Sequence, residues 1–171
     1  MIILGIDPGY AIVGYGVLRF QQNRYQPLEH GAIVTKPQEP FSRRLEILFD
    51  ALSSVLEKWK PDAVSMEKLY FQTNKTTAIP VAQARGVLLL AVQKAGAPVF
   101  EYTPLQVKQA VTGYGRAQKP QVMEMTRRLL CLRELPKPDD VADALAIAIC
   151  HGQACGSALR QKLWGRERKE S

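Results

Sequence analysis

The chain lacks the features that mark membrane, secreted and zinc-binding proteins. Its longest apolar run, Val87 to Val92, is far shorter than the roughly 20 residues of a membrane-spanning helix. The N-terminus leads directly into an apolar strand rather than into a signal peptide, so we expect a cytoplasmic protein without a membrane partner. Cys150, His151 and Cys155 lack the fourth ligand and the paired spacing of a zinc site, which favours ordinary reduced cysteines.

Nucleotide-binding motifs are also missing. The glycines at positions 9, 14 and 16 do not continue into a G-x-G-x-x-G fingerprint, because Arg19 stands where the pattern needs glycine, and no G-x-x-x-x-G-K-[ST] loop occurs. A sugar-kinase-like fragment that begins with Asp-x-Gly would also need a second half to close over ATP. One small domain offers none, so nucleotide-cofactor use is not indicated.

The charge balance is strongly basic, and its placement matters more than its size. The formal net charge is +7 with a pI near 9.5, which by itself points only weakly to a polyanionic partner. Many of the basic residues recur in segments that read as loops or as the C-terminal tail, namely Lys68, Lys75, Arg116, Lys119, Arg160, Lys162, Arg166, Arg168 and Lys169. Basic loops suit a phosphodiester substrate better than a small metabolite.

The order of predicted elements indicates an α/β fold in one domain. Three strands within residues 2–35 read as an antiparallel meander, and strands near 63–67 and 98–102 then alternate with helices. We therefore expect a mixed sheet flanked by helices over residues 1–156. The last predicted helix spans about residues 140–152, and residues 157–171 read as a basic, flexible tail.

Two long helices differ in their apolar patterns. The segment 41–59 carries apolar residues three and four apart, as an amphipathic helix does, and begins at Ser42 or near Pro40. The segment 77–95 is apolar nearly all round, which exceeds what packing on one sheet face requires. We therefore hypothesise that its surplus face forms the seam of a homodimer, whose twofold symmetry would pair two active sites.

Four acidic residues stand in apolar surroundings. Asp7 and Glu67 each close an apolar strand, whereas Asp140 and Asp143 open a helix that is otherwise almost wholly apolar. Asp140 and Asp143 lie about 60° apart around a helix axis, so their side chains point the same way. Carboxylates gathered in a low-dielectric place repel each other, and cations would neutralise them. The pattern favours a divalent-metal site.

Each acid also has a simpler interpretation. Asp7 could form an Asx-turn before Pro8 and Gly9, and Glu67 could be a solvated strand end. Asp139 and Asp140 suit the first turn of a helix, where acids complement the helix dipole. Asp143 has no such role, and we expect its partner to be a metal rather than a basic residue.

Carboxylate oxygens without a histidine cluster favour a hard cation such as Mg²⁺. Two such ions roughly 3.5–4 Å apart can activate a water and stabilise the leaving oxygen of a phosphoryl displacement. That chemistry is typical of nucleases.

Several motifs together resemble the RuvC family of Holliday-junction resolvases, in order over about residues 1–151. They are Gly5-Ile6-Asp7-Pro8-Gly9 with Gly14-Tyr15-Gly16, Glu67 followed by two aromatics, Gln83-Ala84-Arg85-Gly86, Gln106-Val107-Lys108-Gln109, and the run from Asp140 to Ala148. The first motif alone is shared with other proteins of ribonuclease-H-like fold.

This resemblance implies a ribonuclease-H-like homodimer that makes paired nicks in four-way DNA junctions during recombination and repair. It assigns the metal ligands to Asp7, Glu67, Asp140 and Asp143, with two Mg²⁺ ions or Mn²⁺ as a substitute. It also implies work beside a RuvA-RuvB branch-migration complex.

The resemblance further places Lys108 and Lys119 near the scissile phosphate, although both could be exposed solubilising residues. Tyr70 stands where the family tends to carry a phenylalanine that wedges against junction bases, and Phe71 beside it could serve instead. Aromatic stacking on a base is worth roughly 1–3 kcal/mol and tolerates any base.

Two alternatives are weighed against the resolvase interpretation. A ribonuclease-H-like nuclease acting on structured RNA would share the carboxylates, and only the two glutamine-containing motifs of the resemblance argue against it. A catalytically silent junction-binding protein would tolerate the loss of acids, but all four are present.

Overall fold

The computed structural model describes the backbone of residues 1–68 and 75–167 and the side chains of residues 1–68 and 78–156. Its elements in chain order are β1 (Ile2–Asp7), β2 (Ile12–Gln21), β3 (Arg24–Val34), α1 (Phe41–Trp59), β4 (Ala63–Glu67), α2 (Lys75–Lys94), β5 (Val99–Tyr102), α3 (Pro104–Thr112), α4 (Lys119–Leu129) and α5 (Asp139–Glu167).

The strands form one mixed sheet in the order β3-β2-β1-β4-β5. The first three strands pair antiparallel, whereas β4 runs parallel to β1 and β5 runs parallel to β4. One hydrophobic cluster joins α1 and α2 to one face of the sheet, and a second joins α3, α4 and α5 to the other. The predicted α/β class with an initial meander is confirmed.

Strand β1 lies at the centre of the sheet and is covered on both faces, as its continuous apolar run predicts. Leu4 and Ile6 pack into the cluster with α1 and α2, whereas Ile3 packs into the cluster with α5. Because side chains alternate along a strand, Gly5 and Asp7 share the face of Ile3. The β1 carboxylate therefore points to the α5 side of the sheet.

Helix α1 confirms the amphipathic pattern. It buries Leu48, Leu52 and Leu56 against the sheet. Its N-cap is Pro40, one of the two predicted starts. The helix ends where Lys60 adopts a left-handed conformation with φ of 43°, immediately before a proline.

Helix α5 lies unusually close to β1 and β2 because glycines face it. A Cβ atom on Gly5 would come within 2.0 Å of the carbonyl oxygen of Ala144, and one on Gly14 would come within 1.9 Å of the carbonyl oxygen of Asp140. Only glycine permits such an approach of one backbone to another. The helix contributes Ala144 and Ala148 to the same contact, so small residues on both sides let its backbone pack closely against the strands.

Helix α5 is longer than predicted. It continues to Glu167 instead of ending near Gly152, because Gly152 is a packing glycine rather than a helix terminator. A Cβ atom there would lie 2.6 Å from the ring of Tyr25, which rests on the helix and donates a hydrogen bond to the carbonyl oxygen of Ile149 at 3.0 Å. The boundary between a domain at 1–156 and a flexible tail stays a prediction.

Although α5 has 29 residues, no helix in the described ranges is both long and apolar enough to cross a bilayer.

Substituting Gly5 by alanine tests the close approach of α5. The added methyl group would collide with the helix backbone, which cannot move without shifting the whole of α5, so we expect a loss of about 2 kcal/mol or more in unfolding free energy. Gly156→Ala in α5 is the control, because its Cβ would lie 3.3 Å from the Oδ1 atom of the exposed Asn23 side chain, which can move by a few tenths of an ångström. Chemical denaturation of both variants measures the difference, and equal stabilities would contradict the close contact.

Candidate metal centre

Asp7 and Glu67 lie side by side at one edge of the sheet. Strands β1 and β4 are parallel neighbours, and Ile6 is in register with Met66, so the next residue of each strand stands at the same level. Ser65 donates a hydrogen bond to the carbonyl oxygen of Ile147, which shows that this face of β4 also points to α5. Alternation then places both carboxylates on the α5 side.

The glycine contact brings the α5 acids to the same edge. Gly14 is the cross-strand partner of Asp7, and the position of its missing Cβ touches the backbone of Asp140. Asp140 therefore begins its helix directly beside Asp7. Asp143 follows one turn later and is half-buried. All four predicted acids converge on one place.

The four acids also act on one another electrostatically. The pKa of Asp7 is raised from 3.8 to about 7, mainly by burial and in addition by the negative charges of Asp143, Glu67 and Asp140. Lys119 acts in the opposite direction. At neutral pH, Asp7 is therefore a carboxyl group whose ionisation is resisted both by its apolar setting and by its neighbours.

Glu67 and Asp143 show the same effect more weakly. Burial raises the pKa of Glu67, and the charge of Asp143 adds to it. Burial also raises the pKa of Asp143, with Lys119 opposing it. Asp140, but not the exposed Asp139, is among the charges that raise the pKa of Asp7. The geometry thus favours Asp140 over its neighbour as the member of the cluster.

Lys119 corrects one sequence-based expectation. We expected the partner of Asp143 to be a metal rather than a basic residue, but the Lys119 ammonium lies 3.1 Å from its carboxylate and 3.3 Å from that of Asp139. Partial burial would lower the pKa of Lys119, yet the hydrogen bonds and charges of these two acids raise it overall. The sequence could not reveal the pair because the lysine comes from the start of α4, 24 positions earlier than Asp143.

Lys108 lies on α3 and is half-buried, and its charge acts to lower the pKa of Glu67. Both predicted lysines thus act on the carboxylate cluster instead of standing apart from it. The neighbouring Gln106 has a structural role that we did not predict: it forms a capping box with Thr103 at the start of α3.

The predicted DNA-contacting aromatics Tyr70 and Phe71 lie outside the described residues.

The donor set fits a hard divalent cation. Asp7, Glu67, Asp140 and Asp143 offer only carboxylate oxygens, which Mg²⁺ and Mn²⁺ prefer, and their mutual repulsion is the feature that a cation would relieve. In the described part of the chain, no three acidic, histidine or cysteine side chains are already spaced to enclose an ion. Lys119 supplies positive charge at this point, and binding a metal requires the carboxylates to draw closer together.

Arg85 belongs to the motif Gln83-Ala84-Arg85-Gly86, and the sequence alone assigns it no role. Its buried guanidinium donates from Nη1 to the backbone carbonyl oxygen of Glu67 at 3.1 Å, and from Nη2 to the carboxylate of Glu101. A charged residue within the apolar pattern of α2 was the available signal. Its partners come from β4 and β5 and could not be identified from the sequence.

One surface pocket, of about 540 Å³, is lined by Phe20, Tyr25, Cys131 and Gln153 and contains none of the four acids.

Comparison with known proteins gives a consistent result. The family described as "Crossover junction endodeoxyribonuclease RuvC" matches residues 3–151. A protein of that name from Brevibacillus brevis is 58% identical over 153 residues, covering 90% of this chain and 92% of the relative.

Two solved structures are similar over most of their length. The structure of Thermus thermophilus RuvC has a TM-score of 0.86 at 37% identity, with 92% of this chain and 97% of that chain covered. The same protein in complex with a Holliday junction substrate has a TM-score of 0.81 at 37% identity, covering 88% and 92% of the two chains. The predicted resemblance and the ribonuclease-H-like fold are confirmed.

Asp7→Asn tests the repulsion in the absence of metal. Removing one of the facing charges relieves repulsion, so in EDTA we expect the variant to unfold roughly 2–4 °C above the unsubstituted protein, the shift that about 1 kcal/mol produces in a chain of this size. Added Mg²⁺ should stabilise the unsubstituted protein through binding, and the variant much less.

Thermal unfolding of the two proteins with EDTA and with Mg²⁺ gives both measurements. Asp139→Asn is the matched control, and it should keep most of the Mg²⁺-induced gain because Asp139 is exposed and is not among the charges that act on Asp7. A lower midpoint for Asp7→Asn in EDTA would contradict the repulsion.

Proposed function

The chain belongs to the RuvC family of crossover junction endodeoxyribonucleases, and we propose that it resolves four-way DNA junctions by metal-dependent hydrolysis of phosphodiester bonds at the carboxylate cluster. The observation that carries this proposal is the convergence of Asp7, Glu67, Asp140 and Asp143 at one edge of the sheet. Burial and then the charges of the other three acids raise the pKa of Asp7 to about 7, and bound positive charge would relieve this repulsion.

The four carboxylates would hold divalent ions, with Mg²⁺ preferred and Mn²⁺ as a substitute. Two ions bound there would lower the cost of deprotonating the attacking water and of releasing the sugar oxygen. The protein's own task is to hold four oxygen-donor side chains on rigid elements. Asp7 and Glu67 stand on adjacent strand ends, while Asp140 and Asp143 stand on one face of α5.

Lys108 and Lys119 would bind the substrate phosphate. Both already act electrostatically on Glu67, and Lys119 is 53% exposed, so its ammonium can exchange a carboxylate partner for a phosphate oxygen. Such contacts position the DNA backbone without reading its sequence. We assign base stacking at the junction to Tyr70 or Phe71, on the basis of the family resemblance alone.

We also propose that the chain acts as a homodimer through α2. This helix buries Ala84 and Leu88 against its own core, but Ile79 is 69% exposed and Leu90 is 54% exposed. Gly86 lies between them on the exposed side, and a Cβ atom there would meet nothing within 4 Å among the described residues. Glycine within a helix lowers its stability relative to alanine. At this position it would let a second α2 approach closely.

Symmetric pairing would place two carboxylate clusters on one junction and so allow paired cuts. By the same family resemblance, we infer that the dimer works beside a RuvA-RuvB branch-migration complex. The proposed substrate implies a cytoplasmic location, where bacterial DNA recombines.

A cleavage assay tests the function directly. We expect the protein to nick a labelled synthetic four-way junction symmetrically in Mg²⁺, to leave linear duplex intact and to be inactive in EDTA. Asp7→Asn should bind the junction with nearly unchanged affinity but cut it at least about 100-fold more slowly, because the change keeps the side-chain shape and removes a ligand charge. Gel-shift and single-turnover assays measure the two quantities.

An RNA hairpin in the same assay distinguishes the resolvase from the alternative, a nuclease that acts on structured RNA. Cleavage of the RNA alone would replace the resolvase proposal by a ribonuclease one. Loss of junction binding together with cutting in Asp7→Asn would indicate misfolding instead of a lost ligand.

Leu90→Arg tests the α2 seam. A charged side chain in the centre of an apolar interface should shift sedimentation at micromolar concentration from dimer to monomer, with loss of paired cuts. Leu105→Arg is the control, because Leu105 is similarly exposed at 56% but lies on α3. A monomeric unsubstituted protein, or dimers in both variants, would count against this seam.

A further inference from the structure

Arg85 makes an unusual set of contacts at the end of β4. The residue is on α2 and is buried, and its guanidinium reaches across to two strands at once. Nη1 donates to the carbonyl oxygen of Glu67 at 3.1 Å and lies 3.7 Å from the Sδ atom of Met66, while Nη2 is paired with the carboxylate of Glu101 on β5. The planar fork of arginine suits such a double contact, whereas the single ammonium of a lysine does not.

Arg85 stands on the opposite side of the sheet from the acids. Met66 packs with the α1 and α2 cluster, so the guanidinium that touches it approaches from that face. The Glu67 carboxylate points to the α5 face. Arg85 therefore reaches the backbone of Glu67 from the face of the sheet opposite the four acids.

The sheet itself does not require this contact. Strands β4 and β5 are already joined at this level, because the Lys68 amide donates to the carbonyl oxygen of Tyr102 at 2.8 Å. Glu67 is the last residue of β4. What Arg85 adds is a fixed position for the final carbonyl group, and with it the direction of the final side chain.

We propose that Arg85, held by Glu101, is a positioning residue that fixes the Glu67 carboxylate for metal binding. The Glu101 side chain is 43% exposed, and its carboxylate anchors the guanidinium. The pair would not touch the metal itself. It would orient the metal-binding residue Glu67 by holding its backbone carbonyl group. Outer supports of metal ligands typically change metal affinity roughly 10–100-fold when removed.

This inference rests on the proposed function, because it takes Glu67 to be a metal ligand. It also gives α2 a role at the site. The helix carries Arg85 on its buried side, and the next residue, Gly86, lies on its exposed side. A shift of this helix would therefore move the backbone of Glu67.

The test uses the full chain with Arg85→Met, Arg85→Lys and Glu101→Gln. Binding of Mn²⁺ alone is followed by calorimetry, and exchange of the Lys68 amide is followed in metal-free protein. We expect Arg85→Met to weaken Mn²⁺ binding roughly 10–100-fold and to speed exchange at Lys68, with junction binding in EDTA unchanged. Arg85→Lys should recover part of the affinity, and Glu101→Gln should weaken it severalfold.

Arg43→Met is the matched control, since Arg43 pairs with Glu46 on the exposed surface of α1. It should leave Mn²⁺ binding and Lys68 exchange as in the unsubstituted protein. If Arg85→Met fails to fold, Arg85→Lys and Glu101→Gln decide the question. Unchanged Mn²⁺ affinity in the folded variants, or an equal loss in Arg43→Met, would overturn the positioning role.

Glu67→Gln separates this inference from the proposed function. If Glu67→Gln loses Mn²⁺ binding and cleavage while the Arg85 and Glu101 variants keep both, the positioning role is wrong and the proposed function stands. If Glu67→Gln binds Mn²⁺ and cuts junctions normally, Glu67 is not a ligand and the proposed site is wrong. Exchange at Lys68 needs no metal, so it reports the backbone geometry in either case.

Discussion

The contact between the backbone of α5 and the glycines of β1 and β2 is the constraint on which the site depends. Gly5 and Gly14 leave room for the helix carbonyl groups of Ala144 and Asp140 to lie where a Cβ atom would otherwise stand. Because Gly14 pairs with Asp7 across the strands, this approach sets the distance between the strand acid and the helix acids. A helix standing off by the width of one methyl group would carry its carboxylates away from those of the sheet.

This close approach brings carboxylates together, and their mutual repulsion bears on the proposed function. Several carboxylates face each other in partly apolar surroundings, and burial together with their charges raises the pKa of Asp7 to about 7. Lys119 offsets part of the repulsion through its pairs with Asp143 and Asp139. The arrangement would stabilise the fold less than neutral side chains, and the same repulsion would favour the binding of cations proposed for this site. An ion or a substrate phosphate would compete with contacts that the free protein already makes.

The two faces of the sheet carry different parts of the site. The α5 face presents the carboxylates, whereas the α1 and α2 face supplies the apolar cluster and the Arg85 support behind Glu67. Strand β4 connects the two, since its last residue offers a carboxylate to one face and accepts a hydrogen bond at its carbonyl oxygen from the other. Through Arg85, α2 with its exposed Ile79 and Leu90 is hydrogen-bonded to the backbone of Glu67.

The sequence by itself determined the elements and the residue types. Unbroken apolar strands ending in Asp7 and Glu67, and the spacing of α1, are local patterns, and local patterns follow directly from burial. Only the tertiary structure decided which groups meet. Lys119 as the partner of Asp143, Arg85 behind Glu67, and Gly152 as a contact for Tyr25 instead of a helix end all join residues distant along the chain. The distances between these groups in space depend on how closely the helices pack against the sheet. Several elements together determine that packing, so no local pattern predicts it.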